Sequence, residues 1–430
     1  MIMAMKESGI EWVGLIPDDW KIAKNNRLFN ISKQLVNENW KNTQLLSLTK
    51  SGIIEKNIND GGGKQPESFG TYQYVEKDDI VLCLFDIDVS AVFSDRSKYD
   101  GMISPAYRVM KCTDAILPVY AKWWFDAVNI GRYYLIYTKS LRKTIDADGF
   151  GNILTAVPPL SEQQAIADYL DETCSQIDEV IAEAKASIDE YKELKQSVIF
   201  EAVTKGLGEN VELKDSGAEG MGTIPANWSV VRFMKVNYVR ARLGWKGLKA
   251  EEYVDIGYPF LAAYHIVNSH LRWENLNCIT KERYDESPEI KLSIGDLVLV
   301  KDGAGIGKCA RIDDMPLGEA TVNSSLSVIT PNELLDYRYE YYYFMSPLFQ
   351  NIIARLKNGM GVPHLTQESM KDIYLPLPSK KEQQAIADYL DNKVVELDTL
   401  IAEKESLIND LEAYKKSRIY EVVTGKRRVV

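Results

Sequence analysis

The side chains best placed to engage a ligand are cationic and sit on glycine-rich stretches. Gly303-Ala-Gly-Ile-Gly307-Lys308-Cys309 superficially resembles a phosphate-cradling loop. Such a loop needs glycine where Asp302 stands, and a Ser or Thr hydroxyl for Mg²⁺ where Cys309 stands. Asp302 would also repel phosphate, so a hairpin turn after a strand is the better reading. Lys301, Lys308 and Arg311 flank that turn, and Arg240, Arg242, Lys246 and Lys249 cluster around Gly244 and Gly247. Lys139, Arg142 and Lys143 form a third group, and Arg355 and Lys357 precede Gly359-Met-Gly361. Arginine and lysine on loops reach phosphate oxygens and guanine edges, which makes these the candidate DNA-binding residues. A solvated face with a local excess of charge is the competing reading for each cluster.

Bond-making chemistry finds no support. His265, His270 and His364 lack metal-ligand spacing, and no Asn-Pro-Pro-Tyr motif or dinucleotide fingerprint occurs. Cys83, Cys112, Cys174, Cys278 and Cys309 are odd in number and form no CxxC pair, so they read as reduced thiols of a cytoplasmic protein. No catalytic, cofactor-binding or metal-binding residue is assigned. The net charge of −11 argues against a nucleic-acid binder, but its distribution weakens the objection. The region Lys21–Val157 carries about +3, whereas Ser161–Asp215 carries about −9. No run of about 18 apolar residues is present to span a membrane.

The elements that must position the cationic loops come in duplicate. Glu162-Gln-Gln-Ala-Ile-Ala-Asp-Tyr-Leu-Asp171 recurs letter for letter as Glu382 to Asp391. Upstream, Gly14-Leu-Ile16-Pro17-Asp-Asp-Trp20 is echoed by Gly222-Thr-Ile224-Pro225-Ala-Asn-Trp228. Each copy therefore has a short lead-in, a divergent region and a helical segment. Ser161 with Gln164, and Ser379 with Glu382, fit capping boxes. No Gly or Pro follows until Gly206 and Gly425, which predicts helices of about 43 residues, roughly 65 Å long.

Leu170, Ile177, Val180, Ile181, Ile188 and Leu194 in the first helix form an apolar seam in heptad phase. Leu390, Leu397, Leu400, Ile401, Leu407 and Leu411 form its counterpart in the second. The two seams most simply pack on each other; two helices each lying on its own domain is the competing arrangement. In the divergent regions, Asp79–Phe85 and Gly295–Val300 read as buried strands, and Tyr120–Ile130 and Tyr337–Leu356 as amphipathic helices. The tyrosines from Tyr337 to Tyr343 fit core packing at helical spacing.

Together these features resemble the specificity subunits of type I restriction–modification systems. The matching residues are the Gly-x-Ile-Pro-x-x-Trp lead-ins and the Pro-Pro-Leu-x-Glu-Gln-x-x-Ile-Ala-x-x-Leu signature from Pro158 to Leu170. The second copy departs to Leu375-Pro-Leu-Pro378 and then Ser379-Lys380-Lys381. The resemblance implies an α+β fold: two mixed target-recognition domains joined by long helices in an antiparallel coiled coil with pseudo-two-fold symmetry. The expected divisions are a first domain over 1–157, a helix and linker over 158–215, a second domain over 216–378 and a terminal helix over 379–430. Each domain would read half of a bipartite double-stranded DNA site, with the helices as a ruler. Two methyltransferase subunits carrying S-adenosylmethionine, and two restriction/translocase subunits using ATP and Mg²⁺, are the implied partners of a non-catalytic, cytoplasmic chain. A coiled-coil scaffold that binds only other proteins is the alternative.

Overall fold

The structure is a computed structural model and describes residues 4–58, 68–89, 93–138, 141–242, 247–303, 305–357 and 365–429. The chain divides into two compact units, residues 1–185 with 406–430, and residues 186–405. Each unit contains one mixed domain and a stretch of both long helices. Among the described residues, no helix is long and apolar enough to cross a membrane.

The first domain is closed at its base, where Lys21–Lys24 pairs antiparallel with Leu154–Val157. The second repeats this closure, with Ser229–Arg232 against Tyr374–Leu377. The start and end of each divergent region thus lie side by side on the helical scaffold. Inside the first domain an antiparallel sheet runs in the order Phe29–Ser32, Arg108–Cys112, Ile80–Leu82, Ser94–Arg96. The second has the same order, Asn237–Ala241, Leu326–Pro331, Leu297–Val300, Cys309–Arg311. Ile80–Leu82 and Leu297–Val300 are buried at every position, which is why they read as continuous apolar runs.

The helix Pro118–Ile130 begins on its proline and buries Tyr120, Trp124, Phe125 and Val128 against the first sheet. The long helix expected over Tyr337–Leu356 is instead two, Tyr337–Met345 and Pro347–Lys357. Pro347 has no N–H to donate and pushes Ser346 into extended geometry (ψ 151°). Tyr339, Tyr341, Tyr342 and Tyr343 are core residues.

The central helix spans Leu160–Lys205 and the terminal helix Lys380–Val423. Each is followed by a left-handed glycine, Gly206 (φ +74°) and Gly425 (φ +71°), the conformation that lets a chain leave a helix without a Cβ clash. The expected capping boxes are absent. Ser161 lies inside the first turn, and Ser379 does accept from the Glu382 N–H (3.4 Å), but the Glu382 carboxylate points elsewhere. Buried positions on the central helix alternate three and four apart, through Leu170, Cys174, Ile177, Ile181, Ala184 and Ile188. Leu390, Val394 and Leu397 start the matching stripe, which continues through the half-buried Ile401, Ile408 and Leu411, with Leu400 beside it. Val180, Leu194 and Leu407, expected in the seam, are exposed. Each lies one residue from a stripe position, and one residue rotates a side chain about 100° around a helix.

The helices run antiparallel. Lys415 bonds both oxygens of Asp178 (2.6 and 2.7 Å) in the first unit, and Lys195 bonds both of Asp398 (2.7 Å each) in the second. The earlier residue of one helix meets the later residue of the other. The two pairs also occupy duplicated positions, so one ion pair is made twice.

Candidate nucleic-acid interface

The duplicated decapeptide fixes each domain to the helices. Glu162 accepts from the Trp20 indole (3.0 Å), and Glu382 accepts from that of Trp228 (2.9 Å). Gln163 is fully buried; its amide donates to the Ala115 and Pro158 carbonyls (3.1 and 2.9 Å) and accepts from the Leu117 N–H (2.7 Å). Gln383 makes the same three bonds to Leu334, Pro378 and Asp336 (3.0, 2.9 and 2.7 Å). Tyr120 donates to Ala156 and Val423 carbonyls, as Tyr339 does to those of Pro376 and Val203. These glutamates and glutamines are functional residues that motif reasoning did not assign. The letter-for-letter repeat was the signal, since backbone partners demand one side chain whatever domain is attached.

Held in this way, each sheet presents a pair of loops. In the first domain, the chain leaving Ile80–Leu82 meets the chain before Leu154–Val157. Asp86 and Ile87 donate to the carbonyls of Arg142 and Lys143 (3.0 and 3.3 Å), and Ile145 donates to that of Leu84 (2.9 Å). The Arg132 guanidinium braces the Ile87 carbonyl (2.8 Å). In the second domain, Leu365 donates to the Lys301 carbonyl (2.9 Å), the same bond at the duplicated place. The turn from Lys301 to Lys308 joins antiparallel strands, as expected, with Gly303 and Gly307 at φ +79° and +91°.

The candidate cations separate on this frame. Arg142 and Lys143 are exposed on the first loop pair, and Lys139 lies outside the described residues. Lys308 is exposed on the second pair, and Lys301 is mostly covered beside Asp302 (3.3 Å). Lys249 is exposed, whereas Lys246 lies outside the described residues. Lys357 closes its helix, and its side chain is likewise outside them. Arg355 reaches Glu219 (2.6 Å).

Three arginines are corrections. Arg242 is 2% exposed, donating to Ser287 and the Val322 carbonyl, and burial lowers its pKa. Arg240 is held by Asp296 (2.8 Å), Thr330 and the Glu289 and Lys291 carbonyls. Arg311 bonds Asp313 and Asp391 (2.7 and 2.6 Å), tying its strand to the terminal helix. Arg240 and Arg311 lie on strands and Arg242 directly follows one, and each is taken up by neighbouring groups, so a cation near glycines in the sequence becomes an internal clamp. Lys249 aside, the described candidates left exposed without an acidic partner, Arg142, Lys143 and Lys308, all stand on the paired loops.

Residues 237–412 match the family described as type I restriction modification DNA specificity domain. The chain is 26% identical over 312 residues to the MjaVIII specificity subunit of Methanocaldococcus jannaschii, covering 69% of this chain and 70% of that one. It is 24% identical over 209 residues to the EcoKI specificity subunit of Escherichia coli K12, covering 48% of this chain and 44% of that one. The chain is thus similar to type I specificity subunits, with the family domain matched over residues 237–412.

The fold agrees over nearly the whole length. A chain from a structure describing complex assembly and conformational transition of the type I R-M system superposes with a TM-score of 0.73 at 15% identity, covering 96% of this chain and 99% of that one. The HsdS subunit of Thermoanaerobacter tengcongensis gives 0.54 at 14% identity, covering 96% and 98%. The shared architecture survives where few side chains do. Of the residues that persist within this one chain, the glutamines bond backbone and the glutamates bond the lead-in tryptophans.

Proposed function

We propose that each domain reads one half of a bipartite DNA site through its paired loops, and that the antiparallel helices set the distance between halves. Methylation and cleavage belong to partner subunits that dock on the helices, and S-adenosylmethionine, ATP and Mg²⁺ act there. The observation that carries this reading is the duplication: two docking interfaces with the same glutamate and glutamine anchors, each holding a same-ordered sheet whose loops differ in sequence. Two readers carried on paired helices call for two unlike half-sites at a fixed separation. Weak attraction to phosphates by an acidic chain is tolerable if partner subunits supply backbone contacts. The test is to co-express the chain with its methyltransferase in a methylation-free host and map modified adenine. One bipartite motif with a fixed spacer is expected. A well-formed complex that leaves no motif would overturn the reading in favour of a protein-binding scaffold.

A further inference from the structure

We infer that Leu141 makes an apolar contact with a thymine methyl group in the major groove of the half-site read by the first domain. This rests on the DNA-reading assignment above and names one chemical group within it.

Leu141 is fully exposed, at 102% of its reference area, and Val89 on the facing loop is 76% exposed. An isolated exposed leucine is ordinary. This one directly precedes two exposed cations whose carbonyls make the loop-pairing bonds. Arg142 and Lys143 follow it directly and give their carbonyls to Asp86 and Ile87, so the chain is tied to the facing loop immediately after Leu141. Lys143 adopts a left-handed backbone (φ +46°), an uncommon geometry for a lysine, and Arg132 braces the other loop from behind. Such a tip is preorganised to present apolar surface flanked by positive charge.

Groove dimensions decide where it fits. Hydrogen-bonded strands lie about 4.8 Å apart before side chains are added. With side chains added, paired loops exceed the minor groove, about 6 Å wide, but enter the major groove, about 12 Å wide. The apolar group displayed on the base edges there is the thymine C5-methyl. Asp88, exposed on the facing loop, would be repelled by phosphates but can accept from a cytosine amino group, which also favours base edges.

The test uses the full chain in its methyltransferase complex and duplexes carrying the mapped motif. Each thymine of the motif is replaced in turn by uracil, which removes only the methyl group. One replacement should weaken wild-type binding roughly threefold to tenfold. Leu141→Ala should lose the same factor on the thymine duplex, show no further loss on the uracil duplex and melt like the wild type. Wild-type indifference to every uracil would overturn the inference. So would a uracil penalty that persists in Leu141→Ala. A complex that binds DNA without any motif fails differently, by removing the DNA-reading assignment itself.

Discussion

Asp171 and Asp391 are the same residue of the same decapeptide, yet the two units use them differently. Asp171 accepts from the Trp123 indole (2.9 Å). Asp391 accepts from Tyr342 (2.7 Å), Arg311 (2.6 Å) and Arg338 (3.2 Å). Glu162 and Glu382, by contrast, both hold a tryptophan of the lead-in, and Gln163 and Gln383 both bond the backbone. The helix side of the docking interface is therefore constant, and the domain side may carry any donor that reaches the aspartate. A scaffold built so can accept a new reading domain without being rebuilt. Arg428 marks a second difference: it bonds Glu162 and Asp19 in the first unit. In the second, the chain itself runs on from Gly206 into the hairpin of Leu213–Asp215 and Thr223–Pro225.

If the units are separate bodies on one frame, core damage should stay local. Leu170 and Leu390 are duplicated positions, both fully buried, the first in the core of the first unit and the second in that of the other. Leu170→Ala and Leu390→Ala should each cost about 2–5 kcal/mol. Hydrogen exchange should show protection lost mainly in residues 1–185 with 406–430 for Leu170→Ala, and in 186–405 for Leu390→Ala. Equal losses in both units from either substitution would mean that they unfold as one, and the comparison would break.

A second contrast lies one residue beyond the docking tyrosines, where the first domain has Ala121 and the second has Glu340. Glu340 is fully buried; Asn237 donates to one oxygen and the other has no partner. Burial, opposed by the Asn237 bond, raises its carboxyl pKa to about 8. The folded state then keeps a proton that the unfolded chain releases near the ordinary carboxylate value. Stability of the second unit should be greatest below about pH 4.5 as far as this group decides, and fall as pH rises through about 8. The loss is on the order of a few kcal/mol. Glu340→Gln should abolish that slope and melt higher than wild type at pH 8, with the first unit unaffected. A wild-type pH profile that Glu340→Gln leaves unchanged would show the carboxyl to be ionised in the fold.

Periodicity made the scaffold legible: both long helices, their paired seam, and the buried strands Ile80–Leu82 and Leu297–Val300 are as the spacing predicts, while the antiparallel direction came from the family resemblance. Seam membership slipped by one residue at Val180, Leu194 and Leu407, because an apolar residue beside a stripe looks much like one in it. The reading surface was less legible. Arg240, Arg242 and Arg311 have the same sequence surroundings as Lys308, and only strand register decides which side chains turn inward. Leu141 stood unnoticed among basic residues, since exposure of an apolar side chain is a property of the loop pairing and has no sequence signature.

The finest test of the comparison removes one charge at the duplicated aspartate. Asn keeps an oxygen that can accept from an indole N–H, so Asp171→Asn should change stability by less than about 0.5 kcal/mol, independently of salt. At Asp391 the same change leaves Arg311 and Arg338 facing a neutral amide, with Asp313, Asp336 and Asp388 as their remaining acidic partners. The side chains there are about a quarter exposed, so solvent already screens part of the interaction. A loss of about 1 kcal/mol is expected for the second unit at low salt, shrinking toward zero near 1 M, where the screening length falls to about 3 Å. Thermal melts of both variants at two salt concentrations measure it. If Asp171→Asn shows the same salt-dependent loss, the two anchors are electrostatically alike and the divergence of the domain side has no energetic consequence. If only Asp391→Asn does, an ionic anchor and an indole anchor serve one conserved carboxylate, and the domains are exchangeable at little cost to the frame.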